Sequence, residues 1–380
     1  MRQLIFQQQL GQTNIADMII SNDSRDDIPN ILKGLQFIYS DEILKKKLFD
    51  LLKSVLSKNQ LKVGRAGMNM WSIYVMAILR VNLNWDYDRL QHMVNEHKSI
   101  RTMLGHDGEF DSGYQYPLQT IKDNLKLLTP EVVDEINVLM IKAGHFLVKK
   151  HNDTTLSGRS DSFVVETNVY YPTDTRMLFD AMRKALKLTN DLCRSLGNTT
   201  WRQFKKYVKE LKQLHRKIQK SHRGNGKGKE DRLRCAHQNY LNLVNKLLPR
   251  LSATFLTIQH DLCSIEIKKY LDYAAKLKDQ VLRRTINGEA IPTCEKIYSI
   301  FEPHTEWVNK GKPGGKIELG LKVCIIEDEH QFILHHRVMQ KEMDVDIAEQ
   351  IIKDCQSNFP NFKACSFDKG FDSAVNQKKL

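Results

Sequence analysis

Two short stretches of this chain carry an aspartate in a setting suited to metal chemistry. One is Ser160-Asp161-Ser162-Phe163-Val164-Val165-Glu166-Thr167-Asn168, and the other, near the C-terminus, is Phe362-Lys363-Ala364-Cys365-Ser366-Phe367-Asp368-Lys369-Gly370-Phe371. Each reads as a β-rich run with its acid at a strand end. Alone, such an acid is more often a turn or cap residue. A pair that converges in space is different, because cleavage of a phosphodiester by two metal ions needs anionic oxygen ligands that hold the ions about 3.5–4 Å apart. Mg2+ suits a sparse set of carboxylates, since water and substrate oxygens complete its shell. Asp161 and Asp368 are therefore expected to meet and to bind divalent metal.

Other groupings compete less well. Gly224-Asn225-Gly226-Lys227-Gly228-Lys229 has the glycines of a phosphate loop but lacks the preceding strand and the Lys-Ser/Thr ending. His335-His336 falls in an expected strand, where neighbours point to opposite faces and cannot share an ion. His304 and Glu306 lie on one side of an extended segment, which fits a hydrogen-bonding role better than contact with substrate. The seven cysteines contain no CxxC pair, which argues for reduced thiols and against a zinc ribbon or a disulfide framework.

The elements that would position the acids follow from hydrophobic periodicity. Phe163–Tyr171 is rich in Val, Thr and Tyr, and Pro172 stops it, so a strand is expected there. Lys296–Phe301 reads as a further extended segment, and Lys316–Ile326 and His330–Met339 as a hairpin across Glu327-Asp328-Glu329. Asp344–Phe359 has helical spacing, Pro360 ends it, and Phe362–Phe367 forms a last strand aimed at Asp368. The N-terminal part is helical. Asp41 caps a helix that Gly64-Arg65-Ala66-Gly67 breaks, Met68–Val81 is apolar almost all round, and Asp86 caps a shorter helix. Another helix follows at Ile100–Leu104, and Thr129-Pro130-Glu131 opens one that runs to about Lys150 and ends at His151–Thr155. Residues 1–40 are polar and mixed in pattern, with a turn at Asn22-Asp23-Ser24. Short helices in tight sequence fit either a helix-turn-helix DNA reader or an ordinary bundle.

Charge points to a polyanion. The chain holds 58 Lys+Arg against 45 Asp+Glu, a net +13, and Trp201–Arg234 alone holds 13 Lys+Arg against three acids, a net +10. Phe204, Val208, Leu211, Leu214 and Ile218 give this segment an apolar stripe, and Leu241, Val244, Leu247 and Leu248 give its partner another. The expected object is a basic helical hairpin projecting from the core. Its Arg202, Lys205, Lys206, Lys209, Lys212, Arg216, Lys217, Lys220, Arg223, Lys227 and Lys229 are candidates for contact with a DNA phosphate backbone. No signal peptide and no apolar run of membrane-spanning length is seen, which predicts a soluble, cytoplasmic, nucleoid-associated protein.

Taken together, Asp161–Asn168 with Tyr171-Pro172-Thr173-Asp174, Phe301-Glu302-Pro303-His304-Thr305-Glu306, Lys310-Gly311-Lys312, Glu318–Val323 and Ser366-Phe367-Asp368-Lys369-Gly370-Phe371-Asp372-Ser373 resemble the bacterial insertion-sequence DDE transposases of the ISNCY type. The resemblance runs over most of residues 40–380. It implies an α+β or α/β fold with a helical N-terminal DNA-binding region and an RNase H-like mixed sheet, interrupted here by a long helical insert. It also implies Mg2+ or Mn2+, action on terminal inverted repeats and target DNA, and a homodimer on paired ends. Carried over, Asp161 is the first catalytic acid and metal ligand, and Asp368 the second. The family's third acid is a Glu on a helix well beyond the second Asp. The twelve residues after Asp368 contain no Glu, and Asp372 is too close to substitute. The expectation is a chain truncated in the C-terminal part of its core and inactive by itself.

The expected organisation is an N-terminal arm at 1–40, a helical DNA-binding region at 41–155, the first core strand at 156–173, the basic helical insert at 174–290 and the incomplete remainder of the core at 291–380. A non-catalytic DNA-binding remnant or regulator is the second functional reading. An unrelated basic helical scaffold for nucleic acid is the third, and it leaves the two Asp motifs unexplained.

Overall fold

The computed structural model describes residues 11–21, 25–56, 67–108, 113–148, 155–258, 264–309 and 317–379. The expected turn at Asn22-Asp23-Ser24, the helix break at 64–66, the helix end at 151–154 and the Lys310-Gly311-Lys312 segment lie outside them. The described part is a mixed α and β protein with 13 α-helices and one five-stranded mixed sheet. It divides into two units, one of residues 1–159, 326–335 and 352–366, the other of 160–325, 336–351 and 367–380.

In the first unit, seven helices precede the sheet: α1 (Ile28–Ser40), α2 (Glu42–Ser54), α3 (Met70–Asn82), α4 (Tyr87–Glu96), α5 (Lys98–Met103), α6 (Leu118–Leu125) and α7 (Pro130–Leu147). Side-chain caps that satisfy free N–H groups of the first turn start four of them, α2 to α5. Asp41 accepts from the Ile43 and Leu44 N–H groups, Asn69 from Ser72 and Asp86 from Arg89. Around Trp71, which is fully buried and donates its indole N–H to the Met103 carbonyl at 3.0 Å, the rings of Tyr39, Phe49 and Tyr74 gather. Ile15, Met18, Ile28, Leu32 and Leu35 belong to this same core. The stretch read as a polar arm therefore ends in a helix, α1, whose apolar face is buried; its i, i+3, i+4 spacing is diluted by Asn30, Lys33 and Gly34 on the outer face and by Gln36, which donates to the Ile15, Ala16 and Met18 carbonyls.

The second unit holds four long helices in the expected insert: α8 (Asp174–Ser195), α9 (Phe204–Arg223), α10 (Lys229–Ile258) and α11 (Ser264–Thr285). They share one core, in which Leu178, Met182, Leu186, Leu211, Tyr240, Leu247, Ala274 and Leu277 are buried. The expected projecting hairpin is α9 and α10, and it is half of a four-helix assembly. The reason is on α8 and α11, whose apolar faces supply as much of that core as the hairpin does.

The strands are β1 (Leu156–Glu166), β2 (Glu306–Asn309), β3 (Ile317–Asp328), β4 (Ile333–Met339) and β5 (Phe362–Phe367), with α12 (Asp344–Asn358) between β4 and β5. The order is β2-β3-β1-β5, with β4 also on β3. β2 pairs antiparallel with β3, Glu306 opposite Gly320 and Asn309 opposite Ile317. A methyl group on Gly158 would meet the Glu327 carbonyl at 2.6 Å, and one on Gly320 would collide with the Val165 carbonyl. β1 thus rises as β3 falls, and the strands approach so closely at these points that only glycine fits. β3 and β4 form a hairpin, which leaves β1–β5 as the parallel pair of the mixed sheet, returned by α12 as a parallel neighbour requires. The strand expected at 163–171 is shifted: it starts at Leu156 and ends at Glu166. Small and polar residues at 157–162 hide it from a propensity reading. Lys296–Phe301 is irregular, with bends at Tyr298, Ile300 and Phe301, and the strand nearby is Glu306–Asn309. No described helix is long and apolar enough to cross a membrane.

Candidate active site and nucleic-acid interface

Asp161 lies near the middle of β1. Burial alternates along this strand: Leu156 and Ser160 are buried, while Ser157, Arg159, Asp161, Phe163 and Val165 are exposed, as the two-residue period of a strand requires. The Ser162 N–H donates to Asp161 Oδ1 at 2.7 Å. Asp368 follows the last residue of β5, caps the 3-10 turn Lys369–Phe371 and accepts the Lys369 N–H on Oδ1 at 2.6 Å. It too is exposed. The Leu156 N–H donates to the Asn361 carbonyl at 2.9 Å. Counting the same number of residues along both strands from that bond brings Asp161 level with Ser366, two residues short of Asp368. The sheet thus sets the two acids at neighbouring strands, each with one carboxylate oxygen accepting the next residue's N–H and neither in an ion pair among the described residues.

A third carboxylate stands close by that the sequence reading did not single out. Asp344 opens α12, and its Oδ2 accepts from Lys322 Nζ of β3 at 2.9 Å while its Oδ1 is buried with no hydrogen-bond partner among the described residues. A methyl group on Gly370, two residues after Asp368, would touch Asp344 Oδ2 at 3.3 Å. Between these groups lies Cys324. Burial pushes its thiol up, the Asp344 and Asp161 carboxylates push it further, and the Ser160 hydroxyl at 3.2 Å and Lys322 oppose them. These influences together favour the neutral thiol at neutral pH. The only signal for Asp344 in the sequence is an acid at a helix start, which a macrodipole or cap explains equally well.

Could this donor set hold Mg2+? The donors are hard oxygens, as that ion requires. Among the described residues, no group of three or more His, Cys, Asp or Glu is arranged around one point. Asp161 and Asp368 fit a sparse, water-completed shell, with Asp344 already engaged by Lys322. The competing groups are structural. Glu306 accepts the Lys341 N–H at 2.8 Å, His304 lies 3.7 Å from Glu302, and Gly224–Gly228 joins two helices.

The cations fall as their spacing dictates. Lys205, Lys209, Lys212, Arg216 and Lys220 recur at steps of three and four, so they line one face of α9, and Arg223 continues it. Leu211, His215 and Ile218 are buried on the opposite face, with Phe204, Tyr207, Val208 and Leu214 partly so. Arg202, Lys206, Lys217 and Lys227 are exposed as well, and Lys229, the first residue of α10, is half-buried. None of these eleven forms an ion pair with an acid among the described residues. His215 was not foreseen on the buried face. It stacks on Phe179 at 5.9 Å, and burial, aided by Arg176 and opposed by Asp180, holds its pKa below the usual imidazole value.

No family model, no curated protein and no solved structure matches this chain.

Proposed function

We propose that this chain is a DNA transposase of the DDE class, related to the ISNCY type, with Asp161 and Asp368 as its first two metal-binding acids. The observation that carries the reading is the pair itself. Two exposed carboxylates, more than 200 residues apart in sequence, lie within two residues of each other on neighbouring strands. An RNase H-like core is supported by the succession of β1, the β3–β4 hairpin, α12 and β5, with β1 between β3 and β5. Mg2+ or Mn2+, held by the two acids, would polarise the scissile phosphate and activate the attacking hydroxyl. The chain's own part is to orient the carboxylates through the Ser162 and Lys369 N–H groups and to hold DNA on the exposed cations of α9. Terminal inverted repeats as the bound sequence, and a homodimer on paired ends, follow from the same reading.

The test is metal binding by the intact protein, read by Mn2+ electron paramagnetic resonance and by calorimetry with Mg2+. The expected result is a site lost on Asp161→Asn and on Asp368→Asn; metal-dependent nicking of DNA that the same substitutions abolish would show that the two acids suffice for cleavage without a third. Metal affinity unchanged by either substitution overturns the assignment. DNA binding with no cleavage in any divalent metal would favour a non-catalytic DNA-binding regulator.

A further inference from the structure

A cavity of about 1040 Å³ in the second unit has no role in the function proposed above. It is bounded by the loop after β1, the facing ends of α9 and α10, the end of α11 and β2. One wall is aromatic. Trp307 of β2 has the Tyr171 ring edge-on at 5.7 Å and the Tyr298 ring tilted by 31°, also at 5.7 Å. Trp307 is partly exposed and Tyr171 exposed, whereas Trp71, Trp85 and Trp201 are buried. Exposed large rings clustered in a concave site cost free energy unless something planar covers them.

The remaining walls narrow the choice of ligand. Arg234 and Lys296 are exposed on the rim and form no ion pair among the described residues. Arg284 is engaged by Asp174 at 3.2 Å, and Glu230 and Asp231 also face the cavity. The charge there is mixed, so a compact polyanion is disfavoured and stacking has to supply the affinity. Ile218 and His222, which complete the wall, come from the end of α9, next to Lys217, Lys220 and Arg223 of its exposed cationic surface. A nucleic-acid backbone following those cations reaches the cavity mouth.

We propose that this cavity receives an unpaired nucleotide, its base against Trp307, Tyr171 and Tyr298 and its phosphate near Arg234 and Lys296. The inference rests on the reading of α9 as a DNA-binding surface and adds to it a preference for a locally single-stranded segment. Base-on-aromatic stacking is tolerant of sequence and is worth roughly a five- to hundredfold change in affinity per base when the ring is removed.

The experiment uses the intact protein, a 15-nucleotide oligo-dT, the same length of mixed-sequence duplex, and dTMP. Oligo-dT is expected to quench the emission of Trp307, and Trp307→Phe should remove that quenching while binding persists. Trp307→Ala and the surface substitution Tyr171→Ala should weaken oligo-dT binding about tenfold or more and leave duplex affinity unchanged. Quenching by oligo-dT but not by millimolar dTMP assigns the cavity to a nucleotide within a strand, and equal response to both assigns it to free nucleotide. Wild-type affinity for oligo-dT in both Ala variants, with duplex binding intact, overturns the inference and leaves the α9 reading standing. Loss of all DNA binding by the wild-type protein would overturn both.

Discussion

The N-terminal helices and the four-helix insert are both all-α, both built on one apolar core, and opposite in what they do with charge. Residues 41–155 carry 16 Lys+Arg against 14 Asp+Glu, a net +2, whereas Trp201–Arg234 carries +10 in far fewer residues. Their cations are also spent differently. In the first region Arg80 lies over the Tyr87 ring at 4.3 Å, Lys45 over Tyr39 at 4.7 Å and Arg89 over Trp85 at 5.7 Å. Arg101 donates to the Asn95 and Tyr114 carbonyls. On α9 the cations touch neither ring nor acid among the described residues. Cations used to hold a fold are satisfied, and cations displayed in a row are available to an external polyanion. The contrast favours the insert, whose cations the sequence already singles out, over the N-terminal helices, for which DNA binding is implied only by the family resemblance.

Experiments can break this contrast. The largest effect is expected from replacing Lys205, Lys209, Lys212, Arg216 and Lys220 together by Gln. Each lost phosphate contact removes about 0.9 from the magnitude of the slope of log affinity against log salt, so the slope for duplex DNA should fall by about 4.5 and affinity at moderate salt by at least about a hundredfold. Five neutralisations at Lys45, Lys46, Lys53, Arg89 and Lys98 should change the slope by less than one such contact. An equal loss from both sets would erase the distinction.

Next in size is a stability effect that should not reach DNA. Trp71→Ala removes a fully buried indole and its hydrogen bond to Met103, which costs about 3–5 kcal/mol by analogy with other aromatic truncations. Denaturant unfolding should report that loss while the salt slope of the still-folded protein stays as it was. A changed slope would mean that the first region takes part in DNA contact after all.

The smallest effect concerns pH and belongs to the insert. His215 and His237 are both held below the ordinary imidazole pKa, chiefly by burial. A folded-state pKa below the unfolded one gives stability that is complete above the unfolded value, about 6.5, and that drains away as pH falls through the folded value. Helical melting of the protein should therefore drop between pH 7 and pH 5. His215→Phe, which keeps a ring on Phe179, should flatten part of that dependence; a wild-type melting temperature flat across this range would remove the role given to these histidines.

How much of this could be read from the chain depended on what kind of signal each element left. Asp41 and Asp86 announce helix starts because caps act through local hydrogen bonds, and Pro130 does so because its fixed φ suits a first helical position. The α9 stripe was legible because Phe204, Leu211 and Ile218 keep helical spacing. β1 was misplaced because Ser157, Gly158, Ser160 and Ser162 have little strand preference of their own; their strand is imposed by β3 alongside, through the close approach at Gly158 and Gly320. α8 and α11 were read as helical but not as partners of the hairpin, since tertiary packing leaves no mark on local periodicity. For the same reason Asp344 stayed invisible. Its nearness to Asp368 depends on Gly370 and Lys322, residues that nothing in the linear pattern ties to it.

The ion pair between Asp174 and Arg284 has a consequence for how the chain reaches its fold. It joins the first residue of α8 to the end of α11, 110 positions later, so the insert begins and ends at one place. β1 and β3, by contrast, must find each other across a separation such as the 152 positions between Thr167 and Leu319. If the four helices condense first, that search is left with the difference, 42 positions, and the closure entropy drops by about 1 kcal/mol. Helices form on local contacts and are fast, whereas long-range strand pairing is slow. Refolding should then show helical signal ahead of the emission change of Trp307, and simultaneous arrival would refute this order. What interrupts the sheet in sequence would be, in time, the template that lets it close.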